Sequence, residues 1–243
     1  MYYNYNGMNL YYEIKGSGYP IVFLHGWGKD SNEFKDIKID DHKIILVDFL
    51  GFGKSSELVY PFKLLDYIKS LHELLQYINV ESPILVGHSF GGRVAILYSY
   101  YYPTTKIVLV NSAGIRPKRN LKYYLSIYRY KILKKLFYYT SKEKYDIIRN
   151  KGNEEYIVLN DTMRETFSNI VNLDLKKYLK EITTPTLILS SLNDKIIPLK
   201  DGQLKNKLLV NSKLIVFYKS NHFIYLDEKK KFLKVLNSFI KEE

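Results

Sequence analysis

Pro83-Ile84-Leu85-Val86-Gly87-His88-Ser89-Phe90-Gly91-Gly92-Arg93-Val94-Ala95-Ile96 is the stretch that decides the architecture. An aliphatic run enters Gly87-x-Ser89-x-Gly91 and an apolar-periodic segment leaves it, the strand–turn–helix order of a nucleophile elbow. On so sharp a turn the serine backbone is strained and its hydroxyl projects clear of the sheet. Gly87 and Gly91 are required because strand and helix pass too close for a side chain. The five-residue pattern alone arises often by chance. A bystander serine on a Gly-rich turn is the reading that the rest of the chain has to displace.

Outward from this turn, strands and helices alternate. Upstream, residues 9–14 (Asn-Leu-Tyr-Tyr-Glu-Ile) read as a strand closed by Gly16-Ser17-Gly18. Residues 20–24 form a second, fully apolar strand ending at His25-Gly26-Trp27-Gly28, and 42–48 a third. Residues 62–78 carry helical spacing. Downstream, strands are predicted over 106–110, 186–189 and 213–218, with an amphipathic helix over 228–240. This alternation implies an α/β fold with a doubly wound, mostly parallel sheet. Residues 115–180 break the rhythm: they look helical and hold no clear strand. They are expected to form a helical cap inserted over the sheet's carboxyl edge, with 1–114 and 181–243 as the core.

With 243 residues, 46% of them hydrophobic, the chain can build one large domain core. It has no apolar run of membrane-spanning length, and residues 1–7 do not read as a secretory signal. The absence of cysteine excludes disulfides, thiolate ligands and a Cys nucleophile, and fits a cytoplasmic home. The net charge of +12 is concentrated: residues 116–151 hold twelve Lys/Arg against Glu143 and Asp146, a local charge of +10.

A serine hydroxyl attacks only when a base takes its proton, and a carboxylate must orient that base. After a Gly-x-Ser-x-Gly elbow, acid and histidine follow in that order. Of the five histidines only His222 follows Ser89, in a loop after the last predicted strand. His42 and His72 read as structural or surface residues, and His88, pointing away from its neighbour on the turn, should pack. Asp194 lies in the loop after the strand at 186–189 and is the preferred acid. Asp201 falls where Pro198 suggests that a helix has begun, and Asp161 and Asp174 lie in the insertion. The oxyanion needs preorganised donors, for which the amides of Phe90 and Trp27 are placed. Gly51-Phe52-Gly53-Lys54-Ser55 is not a phosphate loop, since Asp48 stands where that motif needs glycine. No metal-ligand spacing and no dinucleotide fingerprint occur, so no cofactor is expected.

Together His25-Gly26-Trp27-Gly28, Asp48-x-x-Gly51-x-Gly53-x-Ser55, Gly87-His88-Ser89-Phe90-Gly91-Gly92, Asp194 and His222 resemble the α/β-hydrolase superfamily over nearly the whole chain. The interval 115–180 is similar to the cap of small carboxylesterases and of proline-iminopeptidase-like members. Ser89 argues against the dehalogenase branch, which would carry Asp there. The resemblance implies a serine hydrolase acting on carboxylic esters through an acyl-enzyme. An aminopeptidase of the proline-iminopeptidase type is the alternative enzyme, and a non-catalytic receptor on the same fold the alternative of another class.

Residues 121–137 are amphipathic: Leu121, Tyr124, Leu125, Tyr128, Ile132 and Leu136 share one helix face, with most lysines off it. The plainest reading is a cap helix that roofs the site while its lysines face water. Weak contact with an anionic surface and steering of acidic substrates are the functional readings; no nucleic-acid motif accompanies the charge. The expected pocket residues are His25, Gly26, Tyr124, Leu125 and Tyr128. A small-molecule ester is the expected partner.

Overall fold

Aliphatic side chains crowd the runs at 21–24, 44–47, 84–86, 107–110 and 186–189, and every one of these residues is buried. Burial on both faces is what a parallel sheet flanked by helices demands. The computed structural model describes residues 1–116, 121–149 and 159–242, with the backbone alone at 122–124 and 149. Its strands are β1 (Tyr2–Tyr5), β2 (Met8–Lys15), β3 (Tyr19–Leu24), β4 (His42–Asp48), β5 (Ile84–His88), β6 (Lys106–Val110), β7 (Thr186–Ser191) and β8 (Ser212–Phe217). They form one sheet in the order β1-β2-β4-β3-β5-β6-β7-β8. β1 and β2 run antiparallel to their neighbours, and every pairing from β4 to β8 is parallel.

Alternation along the strands feeds two cores. Val22, Leu24 and Leu85 point to one face, where α1 (Leu64–Tyr77) and α2 (Phe90–Tyr101) pack. Ile21, Phe23, Ile84 and Val86 point to the other, covered by Phe232, Leu236, Phe239 and Ile240 of the closing helix Lys229–Lys241. Each such side chain contributes about 1.5–3 kcal/mol by leaving water.

The predicted bounds of β4 and β6 hold residue for residue, because each is a short apolar run between turn residues. β1 was not expected. Its tyrosines alternate between exposed and packed positions, and the marker of its hairpin is Asn6-Gly7, with φ of 49° and 83°.

Between β6 and β7 the described residues form α3 (Leu121–Thr140), α4 (Lys142–Arg149), α5 (Asp161–Val171) and α6 (Lys176–Leu179). The contact with the sheet's core comes from Met163, Ile170, Leu175 and Leu179 of the later part. α3 instead packs along α4, through Tyr138 on Tyr145 and Lys144 over Phe137. Leu121, Leu125, Tyr128, Ile132 and Leu136 do form a stripe, but each is exposed, Leu125 by 54% and Tyr128 by 64%. The side chain of Tyr124 lies outside the described residues.

Helix α7 (Leu199–Leu208) buries a lysine. Lys205 is 1% exposed and donates to the Ser112 carbonyl at 2.5 Å. Burial lowers its pKa to about 8, against the pull of Asp201. The unfolded chain thus binds one more proton than the native one between about pH 8 and the ordinary lysine value near 10.4, so stability should rise with pH across that window. The rise amounts to about 3 kcal/mol for a shift of this size. Urea unfolding from pH 7.5 to 10.5 should show it as a difference from Lys205→Met, whose curve lacks this component; parallel curves would refute the buried charge.

Candidate active site

The chain leaves the carboxyl ends of β3 and β5 in opposite directions along the sheet, since β3 pairs with β4 on one side and β5 on the other. Such a switch point opens a crevice. The loop at 25–28 follows β3 and Ser89 follows β5, which brings the Trp27 and Phe90 rings to 5.4 Å.

Ser89 has φ 48° and ψ −106°, a backbone conformation that costs an L-residue about 1–3 kcal/mol and persists only where packing imposes it. The packing is visible in the burial pattern: from 83 to 98 every residue is buried except Ser89. The two glycines permit the turn. A Cβ on Gly87 would lie 2.4 Å from the Gly91 carbonyl oxygen, and one on Gly91 would lie 2.0 Å from that of Leu24. The Ser89 amide donates to the Val110 carbonyl at 3.1 Å and its carbonyl accepts from Ala113 at 3.0 Å, tying the elbow to the end of β6.

Asp194 and His222 are brought together. Nδ1 of His222 lies 2.7 Å from Asp194 Oδ2, with the carboxylate side chain fully buried. The other oxygen, Oδ1, accepts from the amides of Ile196 at 2.7 Å and Ile197 at 2.9 Å. Burial alone would raise the Asp194 pKa. The hydrogen bond from His222 and those two amides outweigh it and hold the carboxyl below its usual value. With Nδ1 engaged, Nε2 of His222 is the nitrogen left for a substrate or a nucleophile. Among the described residues neither it nor the Ser89 hydroxyl makes a hydrogen bond; in structures without substrate such links are often long and tighten on binding. Asp201 lies in the first turn of α7 and makes no contact with His222.

The amides of Trp27 and Phe90 donate to no protein group among the described residues. Phe90 begins α2, so its N–H is one of the free donors of a helix N-terminus.

Three further residues position this machinery, and the sequence reading missed the roles of two of them, Asn111 and Glu33. Asn111, itself at φ 39°, accepts from the Ser191 amide at 2.8 Å through Oδ1. Its Nδ2 donates to the carbonyls of Asn221 and His222 at 3.0 and 2.9 Å. One side chain thus joins the ends of β6 and β7 to the histidine loop. Glu33, from a short 3-10 turn, sits 2.7 Å from Nδ1 of His88, accepts from the Gly26 amide at 2.7 Å, and accepts from the Tyr225 hydroxyl. Burial opposes ionisation of Glu33, but its electrostatic interaction with His88 and these hydrogen bonds hold its pKa below the usual value. His88 packs, as its place on the turn predicts, and its Nε2 also reaches the His222 carbonyl at 3.1 Å.

Two of the expected pocket residues are buried. His25 is fully buried, with Nδ1 at the Gly26 carbonyl and Nε2 accepting from the Phe49 amide at 3.0 Å, so it braces the loop and offers substrate no surface. Gly26 is buried beside it. Leu125 and Tyr128 do not line the cavity beside the site. That cavity, about 640 Å³, lies between the ends of β6 and β7 and helices α2, α6 and α7. Among the described residues no group of three or more potential metal ligands gathers, and no helix is long and apolar enough to cross a membrane.

A family model described as alpha/beta hydrolase fold matches residues 19–152. The chain is 27% identical to the proline iminopeptidase of Saccharolobus solfataricus, over 96% of this chain and 89% of that one. It is 26% identical to the pimeloyl-[acyl-carrier protein] methyl ester esterase of Legionella pneumophila, over 96% and 100%. Among solved structures, an esterase from Exiguobacterium antarcticum superposes with a TM-score of 0.76 at 23% identity, covering 98% of this chain and 97% of that one. At that identity the structural likeness concerns the fold.

Proposed function

The chain belongs to the alpha/beta hydrolase fold family, and on that premise we propose that it is a serine hydrolase that cleaves carboxylic esters through an acyl-enzyme. The observation that carries the proposal is the buried 2.7 Å Asp194–His222 pair, joined through His88 at 3.1 Å to the otherwise buried turn that holds Ser89 at φ 48°. Ser89 Oγ attacks the ester carbonyl carbon while His222 Nε2 takes its proton, and Asp194 stabilises the imidazolium. The oxyanion accepts from the Trp27 and Phe90 amides. As the tetrahedral adduct collapses, the C–O bond to the alcohol breaks and His222 returns the proton to the leaving oxygen. A water deprotonated by His222 then releases the carboxylic acid and regenerates Ser89.

Ester cleavage is favoured over removal of an N-terminal residue by the charge beside the site. The neighbouring cavity has Arg93, Arg116, Lys176 and Lys200 in its wall and Asp201 as its only carboxylate among the described lining residues, a poor place for a free ammonium group. A panel of p-nitrophenyl acyl esters and aminoacyl arylamides tests this: esters should be turned over with a burst of nitrophenol equal to the enzyme concentration. Turnover of arylamides alone would move the assignment to the aminopeptidase. Failure of a fluorophosphonate to label the protein would move it to a receptor.

A further inference from the structure

The cavity shares its walls with the catalytic machinery. Ala113, in its lining, holds the Ser89 carbonyl at 3.0 Å, and Ile196 and Ile197, also in its lining, hold Asp194 through their amides. The space therefore adjoins the segments that hold Ser89 and Asp194.

The wall combines a sheath of apolar side chains with an under-used cation. Ile115, Val171, Ile197 and Leu204 supply the apolar surface. Arg93 projects from the second turn of α2 and is 5% exposed. Its Nη1 donates to the Leu173 carbonyl at 2.7 Å, its one hydrogen bond among the described residues. A guanidinium has five N–H donors, so most of those on Arg93 face no acceptor among the described residues. Burial lowers the Arg93 pKa to about 10, with Asp174 acting the other way, and the group stays charged at neutral pH. Asp174 itself pairs with Lys176 at 3.0 Å. A buried cation with spare donors is costly unless an anion completes it. Arg116 and Lys200 add charge of the same sign, and Asp201 is the one opposing group among the described lining residues.

We infer that this cavity receives an aliphatic arm ending in a carboxylate, which Arg93 grips with two parallel N–H···O bonds. The preferred substrates are then esters carrying a free carboxylate a short hydrocarbon chain away from the scissile bond. A carboxylate matches the planar guanidinium fork, and the apolar sheath suits the methylenes between. Arg93 is a specificity-determining residue here, and its role rests on the ester-hydrolase reading above.

The test compares neutral and charged isosteres on both sides of the ester bond. On the acyl side, p-nitrophenyl hydrogen adipate is set against p-nitrophenyl hexanoate; on the alcohol side, 4-acetoxybutyrate against butyl acetate. Whichever arm occupies the cavity, its carboxylate form should have kcat/KM about 10–100-fold above the neutral partner, the range of a charge-assisted hydrogen-bonded pair. Arg93→Lys keeps the charge but loses the fork and should reduce that ratio to about 3-fold or less. Lys200→Gln, on an exposed position that poses no risk to folding, should reduce it about 2-fold. Neutral esters cleaved as fast as their charged partners in both pairs would overturn the inference and leave the esterase reading standing. If no ester is cleaved, that reading falls by itself, and calorimetry then decides the cavity. Hexanoate should bind and hexanamide should not, with hexanoate binding lost in Arg93→Lys; equal behaviour of the two ligands would overturn the inference.

Discussion

Ser89→Ala should lower kcat/KM for an activated ester by about 10⁴-fold or more, the loss seen when a nucleophile is removed from a triad acting as a unit. The same variant should no longer take up a fluorophosphonate, while its fold survives, since the side chain makes no hydrogen bond among the described residues. A companion variant separates strain from chemistry. At φ 48° and ψ −106° glycine is at ease where any L-residue is not. Ser89→Gly should therefore be equally inactive yet more stable than wild type by about 1–2 kcal/mol in urea unfolding. An enzyme that kept its activity after either change would remove Ser89 from the reaction. A Ser89→Gly protein no more stable than wild type would remove the strain from the account. Asp194→Asn completes the set, with an expected drop of about 10⁴-fold because the His222 ring would settle in the wrong tautomer.

The second large effect is on stability. In Gly91→Ala the new Cβ would stand 2.0 Å from the Leu24 carbonyl oxygen and 2.8 Å from that of His25. Both are backbone atoms at the end of a central strand, so neither can rotate away. Either α2 lifts from the sheet or β3 shifts, and each breaks packing around Phe90, Val94 and Leu24, all of them buried. A loss of about 4 kcal/mol or more is expected, in the range reserved for severe overpacking. Gly28→Ala is the control: its φ is +71° but nothing lies within 4 Å of the added carbon, so only the conformational cost of about 1 kcal/mol applies. Equal destabilisation by the two changes, read from urea midpoints, would show that the close approach at Gly91 is not the reason for glycine there.

These two positions also show what was legible in the sequence. Gly87, Ser89 and Gly91 announce their roles because a tight turn restricts residue type locally, within five positions. His222 and Asp194 were reachable by chain order, since a parallel sheet returns every loop to the same edge. Other features were hidden for physical reasons. Glu33 meets Tyr225 across 192 positions, and no local pattern marks two such residues as partners. Asn111 reads as an ordinary strand-ending residue until its amide is seen to join three loops. Arg93 is the one charged residue of its helix, and its importance comes from what faces it, not from what precedes it. At α3 a repeat at helical spacing fixes which residues share a face without fixing what that face meets.

That outward face has an evolutionary reading. Changes along Leu121, Leu125 and Tyr128 meet solvent, while the serine turn, the carboxylate–imidazole pair and their braces sit among residues with no room to vary. Drift in the first region leaves folding free energy almost untouched, so sequence can be sampled there at mutation rates the sheet edge would not survive. Relatives of this chain should diverge fastest along the exposed face of that helix.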